Sequence, residues 1–159
     1  MSIPVFFVGM SKYLFLLNDI GMVTFHISKE IFAPLDDVWN LVSDVDREPE
    51  FWHGTKSVKN IRKEGNVVER ETVIAFRNAV CKEIVTLDAK NAVKKRIIDG
   101  PIIGTKDIIL TPIGTNETRV EVKWDIKVKG FFGLFRGIIK KHILEGTRDA
   151  LNRISNTAT

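Results

Sequence analysis

Ile31-Phe32-Ala33-Pro34-Leu35-Asp36-Asp37-Val38-Trp39 joins a strand to a helix, and the rest of the chain can be read outward from it. Upstream, Val23, Phe25, Ile27 and Lys29 alternate with Thr24, His26, Ser28 and Glu30, the period-two pattern of a half-buried strand over residues 23–31. Ala33-Pro34 ends it. Downstream, Leu35, Val38, Trp39 and Val42 fall on one helical face over residues 35–42, with Asp36, Asp37 and Asn40 on the other. Pro34 suits a first helical turn, and the early aspartates suit the positive end of the helix dipole. A second short helix or turn over residues 46–53, bounded by Pro49 and Gly54, carries Phe51 and Trp52.

Further strand-like runs follow, separated by turn signals in the manner of an antiparallel meander. Residues 58–63 turn at Glu64-Gly65-Asn66 into residues 67–76, and Arg77-Asn78 leads into residues 80–87. Residues 88–91 give way to 93–98. After Gly100-Pro101 and Gly104, residues 106–111 pair through 112–116 with 118–128. This last run is the clearest: Val120, Val122, Trp124, Ile126 and Val128 alternate with Arg119, Glu121, Lys123, Asp125 and Lys127, so one face is buried and the other wet. From about residue 135 to 155, Phe135, Ile139, Ile143, Ala150 and Ile154 recur at helical spacing, and Gly130, Gly133 and Gly137 soften the start of that helix. A sheet with one apolar face and one long amphipathic helix has a direct solution. The class is α+β: a curved antiparallel sheet of about seven strands wraps around the long C-terminal helix, and the two short helices after the first strand close one end.

The 159 residues are near the size of one domain. At 44% hydrophobic and 28% charged, the chain is too apolar to be disordered. A single cysteine, Cys81, rules out an internal disulfide framework. Without a Cys/His cluster, neither a metal nor a cofactor is expected, and a reducing, cytoplasmic setting fits best. The net charge of +4 is concentrated near the end, where seven Lys/Arg residues between Lys127 and Arg153 face only Glu145 and Asp149. Such a stretch is either a solvated helix face or an attractor of anionic lipid headgroups or RNA. Within residues 1–21, Ile3-Pro4-Val5-Phe6-Phe7-Val8 and Tyr13-Leu14-Phe15-Leu16-Leu17 are apolar but too short to span a bilayer. Lys12 is the only early positive side chain, so a secretory signal is not the expected reading. Residues 1–21 are read as an N-terminal extension, with Met22 a candidate start, and residues 22–159 as a single domain.

The order of elements and several local stretches resemble the START/Bet v 1-like (SRPBCC) superfamily, especially its polyketide cyclase/dehydrase and coenzyme Q-binding branches, over about residues 23–154. The resemblance is carried by residues 31–39, by Asp44, by Pro49-Glu50-Phe51-Trp52, and by Leu110-Thr111-Pro112-Ile113-Gly114-Thr115 before the strand bearing Trp124. It implies the helix-grip fold and a cavity between sheet and helix, which relatives use for lipids, quinones, polyketides or other apolar molecules. Fold does not set function, so the cavity has to be argued from side chains. Ligand pockets are mostly apolar with a few placed polar groups. Candidate ligand-binding residues are Trp39, Phe51, Trp52, Phe76, Ile98, Trp124, Phe135, Ile139 and Ile143, with Arg70, Arg96 and His142 as polar contacts. The apolar members could equally be ordinary core. Arg70 and Arg96 stand in strands where a one-residue shift decides whether they point in or out. An inward arginine needs a carboxylate or an acidic ligand group.

No catalytic residues are assigned. His26, His53 and His142 have no metal-ligand spacing, Cys81 reads as an inert core thiol, and Asp44, Asp46, Glu48 and Glu50 read as solvated carboxylates on a polar turn. A Gly-rich phosphate loop, a nucleophile elbow and paired carboxylates are all missing from the sequence. Phe131-Phe132-Gly133-Leu134-Phe135, flanked by Lys127, Lys129, Arg136, Lys140 and Lys141, suits peripheral membrane contact or a plug at the cavity mouth. No RNA motif is recognisable, so nucleic acid is not an expected partner, and oligomeric state is left open. The favoured function is binding or transport of an apolar small molecule, such as a lipid, quinone or polyketide-like compound, without catalysis. A polyketide cyclase or dehydratase would instead need inward polar groups converging in the cavity. A ribosome- or chaperone-associated interaction module would show a filled core and an exposed aromatic and basic patch.

Overall fold

Seven strands, β1 (Met22–Ile31), β2 (Thr55–Glu64), β3 (Val67–Ile74), β4 (Val80–Asp88), β5 (Ala92–Asp99), β6 (Ile102–Gly114) and β7 (Glu117–Val128), make one curved sheet in the computed structural model, which describes residues 21–159. Every pairing is antiparallel, in the order β1-β7-β6-β5-β4-β3-β2. Helices α1 (Leu35–Val42) and α2 (Glu48–Phe51) follow β1, and α3 (Arg136–Ala158) ends the chain. This is the helix-grip arrangement expected from the sequence. Apart from Gly21, the expected extension lies outside the described residues.

Two apolar clusters hold the layers together. The larger gathers Val38 and Val42 of α1, Phe51 of α2, Val68, Val85, Val93, Ile108, Val120 and Val122 of the sheet, and Ala150, Leu151 and Ile154 of α3. The smaller, toward the other end of the sheet, is built on Val23, Ile126 and Val128, with Phe132, Ile139 and Ile143 packed against it. Polar ties fix the closed end: Thr118 donates to the Ala33 carbonyl at 2.9 Å, and Arg153 of α3 donates to the Phe51 carbonyl at 3.0 Å. The second half of α3 is therefore pinned over a dry core. In its first half Ile139 and Ile143 are only partly buried and no residue is fully so.

Several boundaries differ from expectation, among them that of β2, which runs from Thr55 rather than residue 58. β3 stops at Ile74, and residues 76–78 form a single turn of 3₁₀ helix with Arg77 and Asn78 at positive φ. β6 starts at Ile102, because Gly104, expected in the preceding turn, lies inside the strand at φ +133°, where a Cβ would stand 2.2 Å from the Asp125 carbonyl oxygen. Glycine lets the strand begin early by removing that clash. Among the described residues, no helix is long and apolar enough to cross a membrane.

Candidate functional site

Between the first half of α3 and the sheet lies a cavity of about 460 Å³. Its walls are mostly apolar: Ile74, Ile97, Ile102 and Trp124 from the sheet, Ile139 and Ile143 from α3, with Trp52 and Phe76 from the connections. His53, Gly54, Ala75, His142 and Gly146 line it and are themselves exposed, which places its opening between α3 and the loops at residues 53–55 and 75–76. Trp124 reaches across to the helix, its Nε1–H donating to Thr147 Oγ1 at 3.0 Å, while Thr147 donates to the Ile143 carbonyl at 2.7 Å.

The floor is different in kind. Register places Arg70 of β3 opposite Glu83 of β4, Lys95 of β5 opposite Lys106 of β6, and Lys106 opposite Trp124 of β7. Glu83 is paired with Ile97, so Lys95 is its diagonal neighbour. One inward charge from each of four neighbouring strands thus forms a row across the sheet, and Glu48, at the start of α2, sits down onto it. All five charged side chains are buried. Arg70 donates to one Glu48 oxygen, to Glu83 at 2.6 Å and to the Val45 carbonyl at 2.8 Å. Lys95 donates to the other Glu48 oxygen and lies 3.5 Å from Glu83. Lys106 Nζ lies 3.6 Å from Glu48 and 3.1 Å from the centre of the Trp52 ring. Glu48, Glu83, Lys95 and Lys106 face the cavity; Arg70 lies beneath it, fully buried.

Burial alone would raise the Glu48 carboxyl, but Lys95, Lys106 and Arg70 together hold it far below the usual carboxylate range. For Lys106 the balance reverses. Burial and the like charges of Lys95 and Arg70 push its ammonium well below the usual lysine range, against the pull of Glu48 and Glu83. Arg70 and Lys95 already match Glu48 and Glu83 in charge, so Lys106 is the cation that the row can most readily do without. The Cys81 thiol, also on the wall, is pushed up to about 11 by burial first and then by Glu83 and Asp99, so it stays protonated at neutral pH.

Of the residues proposed from sequence, Trp52, Phe76, Trp124, Ile139, His142 and Ile143 converge on this cavity. Phe51 and Trp39 instead pack in the larger core, and Phe135, 45% exposed, stands outside the cavity on the turn before α3. Arg96 and Ile98 need correction: both face solvent, because the inward set of β5 is Val93, Lys95 and Ile97. Arg70 points inward, but its donors are taken by protein oxygens rather than offered to a ligand. Glu48 is buried rather than solvated, unlike Asp44, Asp46 and Glu50. Sequence reasoning did not propose Glu83, Lys95 or Lys106 as site residues, although each has an apolar or small buried residue two positions away on its strand: Cys81 and Val85, Val93 and Ile97, Ile108.

The sequence profile of the family described as polyketide cyclase/dehydrase and lipid transport matches residues 22–158. No curated protein sequence gives a significant match. Among solved structures, the chain is similar to the Zhui aromatase/cyclase from Streptomyces sp. R1128, with a TM-score of 0.74, 16% identity, and 86% of this chain and 93% of that one covered. It is similar to a START superfamily protein from Mycobacterium smegmatis, with a TM-score of 0.67, 19% identity, and coverage of 87% and 99%. It is also similar to norcoclaurine synthase from Thalictrum flavum, with a TM-score of 0.62, 21% identity, and coverage of 89% and 90%. At such identities these likenesses concern the fold.

Proposed function

We propose, taking as premise that the chain belongs to the polyketide cyclase/dehydrase and lipid transport family, that it binds and carries an apolar small molecule with one polar end. The observation that carries this reading is the form of the cavity. It is about 460 Å³, within the range of about 300–1,000 Å³ usual for small-molecule sites, with mostly aliphatic and aromatic walls and its lysine and glutamate side chains gathered on one floor. An apolar body would lie against Ile97, Ile102, Ile139 and Ile143, and its polar end would meet Lys106 and Lys95. Native mass spectrometry of the purified protein, followed by solvent extraction, tests this. A stoichiometric apolar adduct is expected, and the Ile143→Trp variant, which places an indole in the cavity, should lose it. A bare mass with no uptake of added fatty acids, quinones or aromatic ketones would remove the carrier reading.

The convergence of Glu48, Glu83, Lys95 and Lys106 on one floor favours a second reading as a cyclase or dehydratase. Buried lysine and carboxylate side chains facing a cavity are suited to moving protons on a bound carbonyl compound. Turnover of a poly-β-ketone probe that is lost in both Lys106→Met and Glu83→Gln would separate catalysis from carriage.

Ligand exchange at a membrane surface fits the turn before α3. Phe131, Leu134, Phe135 and Ile138 are exposed, and Lys129, Arg136, Lys140 and Lys141 flank them. Phe132 of the same turn edges onto the cavity residue Phe76 at 5.3 Å, so this patch adjoins the opening. Apolar side chains amid cations suit insertion into an anionic lipid surface. Co-flotation with phosphatidylglycerol vesicles is expected, and Phe131→Asp should weaken it roughly tenfold or more, one buried phenyl ring being worth about 1.5–3 kcal/mol. Equal flotation of variant and parent would exclude this contact.

A further inference from the structure

We propose that Lys106 is a carbonyl-binding lysine, which holds an apolar ketone or aldehyde in the cavity as a reversible imine. This deepens the carrier reading by naming the ligand's polar end, and rests on it.

The geometry supplies the three things such an amine needs. The first is access from the cavity: Lys106 is 3% exposed, yet its side chain forms part of the cavity floor beside Trp124 and Ile97. The second is a weakened hold on the amine's proton. Nζ is enclosed by Trp52, 3.1 Å from the ring centre, and Trp124, 5.0 Å away, with Lys95 opposite it in the register. A lysine desolvated beside a second cation loses its proton readily and becomes a nucleophile. The burial and repulsion that drive Lys106 below the usual lysine range agree with that placement. Ring faces attract an ammonium by about 0.5–2 kcal/mol, a partial offset to full desolvation. The third is a proton acceptor within reach, Glu48 at 3.6 Å, held ionised by Arg70 and Lys95.

The chemistry balances without any further reagent. The Nζ lone pair attacks the carbonyl carbon, a C–N bond forms, and the C=O π pair moves to oxygen. The Glu48–Lys95 pair relays the first nitrogen proton to that oxygen, giving the neutral carbinolamine, and then relays the second, so that both amine protons end on oxygen and the pair returns to its starting state. Loss of that oxygen as water leaves a C=N bond, so the net change is amine plus carbonyl giving imine plus one water. Entry of water reverses it. The apolar wall selects compounds whose remaining bulk is hydrocarbon or aromatic, and an amine in this state discriminates a carbonyl from a hydroxyl or an ether of the same shape.

Full-length protein is incubated near neutral pH with 2-undecanone or 2-naphthaldehyde and then treated with sodium borohydride, and intact mass and peptide mapping are read. Binding of the same probes without borohydride is followed in parallel by native mass spectrometry. The expected result is one adduct per chain, heavier by the probe mass less one oxygen atom, mapped to Lys106 and reduced to background in Lys106→Met. Mapping on the unmutated protein keeps the test independent of how the variant folds. Probe bound without an adduct, or an adduct spread over surface lysines, overturns the imine and leaves the carrier standing. Neither binding nor adduct overturns both.

Discussion

Glu48→Gln should lower the stability of the protein by about 3–5 kcal/mol, the range seen when one partner of a buried ionic network is removed. The substitution preserves shape, so the loss is electrostatic. Glu48 accepts from Arg70 on one oxygen and from Lys95 on the other, and Lys106 is 3.6 Å away. A neutral amide in its place leaves Arg70 and Lys95 facing the single carboxylate of Glu83 inside a fold that buries both. Glu48 also begins α2, so its contacts fix where that helix sits over the sheet. Urea unfolding of the two proteins measures the difference. Its pH dependence has a definite sign. The folded-state carboxyl is held below its unfolded value, so its contribution is complete above the unfolded glutamate pKa of about 4.3 and is lost only as pH falls toward the folded value. The gap between parent and variant should therefore be constant through neutral pH and narrow only in stronger acid. A gap near zero at neutral pH would mean that the network is not what positions α2.

The same network marks the limit of what the sequence discloses. β7 declares its inner face because five apolar residues alternate with five polar ones, and Trp124 was placed correctly from that pattern. The α1 boundaries follow equally well from Pro34, the two aspartates and the spacing of Val38 and Val42. β5 offers no such phase. In Val93-Lys94-Lys95-Arg96-Ile97-Ile98, cations occupy both faces and the two isoleucines cover both, so periodicity cannot choose between Lys95/Ile97 and Arg96/Ile98. The choice is made by pairing with β4, where a register shift at Lys82/Glu83 intervenes. β3 has the same ambiguity, with Glu69-Arg70-Glu71 in its middle. A buried charge is legible only when its partners are known, and those of Arg70 come from β4 and from α2, 13 and 22 residues away. The cavity was hidden for a related reason. Ile139 and Ile143 have the spacing of core residues, and nothing in that spacing tells that they are only partly buried against the smaller cluster and also line a cavity.

Lys106→Met should act in the opposite direction to Glu48→Gln and stabilise the protein at neutral pH, on the order of 1–4 kcal/mol by comparison with other exchanges of buried ionisable groups for apolar ones. Methionine follows the path of the lysine stem and fills the same space against Trp52 and Trp124. What it removes is an amine whose proton the folded state disfavours. Because the folded-state value lies well below the unfolded one, near 10.4, unfolding takes up a proton between the two values, and at lower pH the native protein is less stable by the corresponding free energy. That penalty vanishes above the unfolded value, grows as pH falls, and is complete below the folded value. Parent and variant should therefore converge near pH 10 and separate toward neutrality, with the variant the more stable. Glu48 keeps Arg70 and Lys95 in the variant, so its own stabilisation survives. Thermal or urea unfolding across that range reads the sign directly. A variant that is less stable than the parent at neutral pH would show that Lys106 is held charged by Glu48 and the tryptophan faces. The expected gain, coupled to loss of carbonyl trapping, identifies a group kept at a cost to the fold because the cavity uses it.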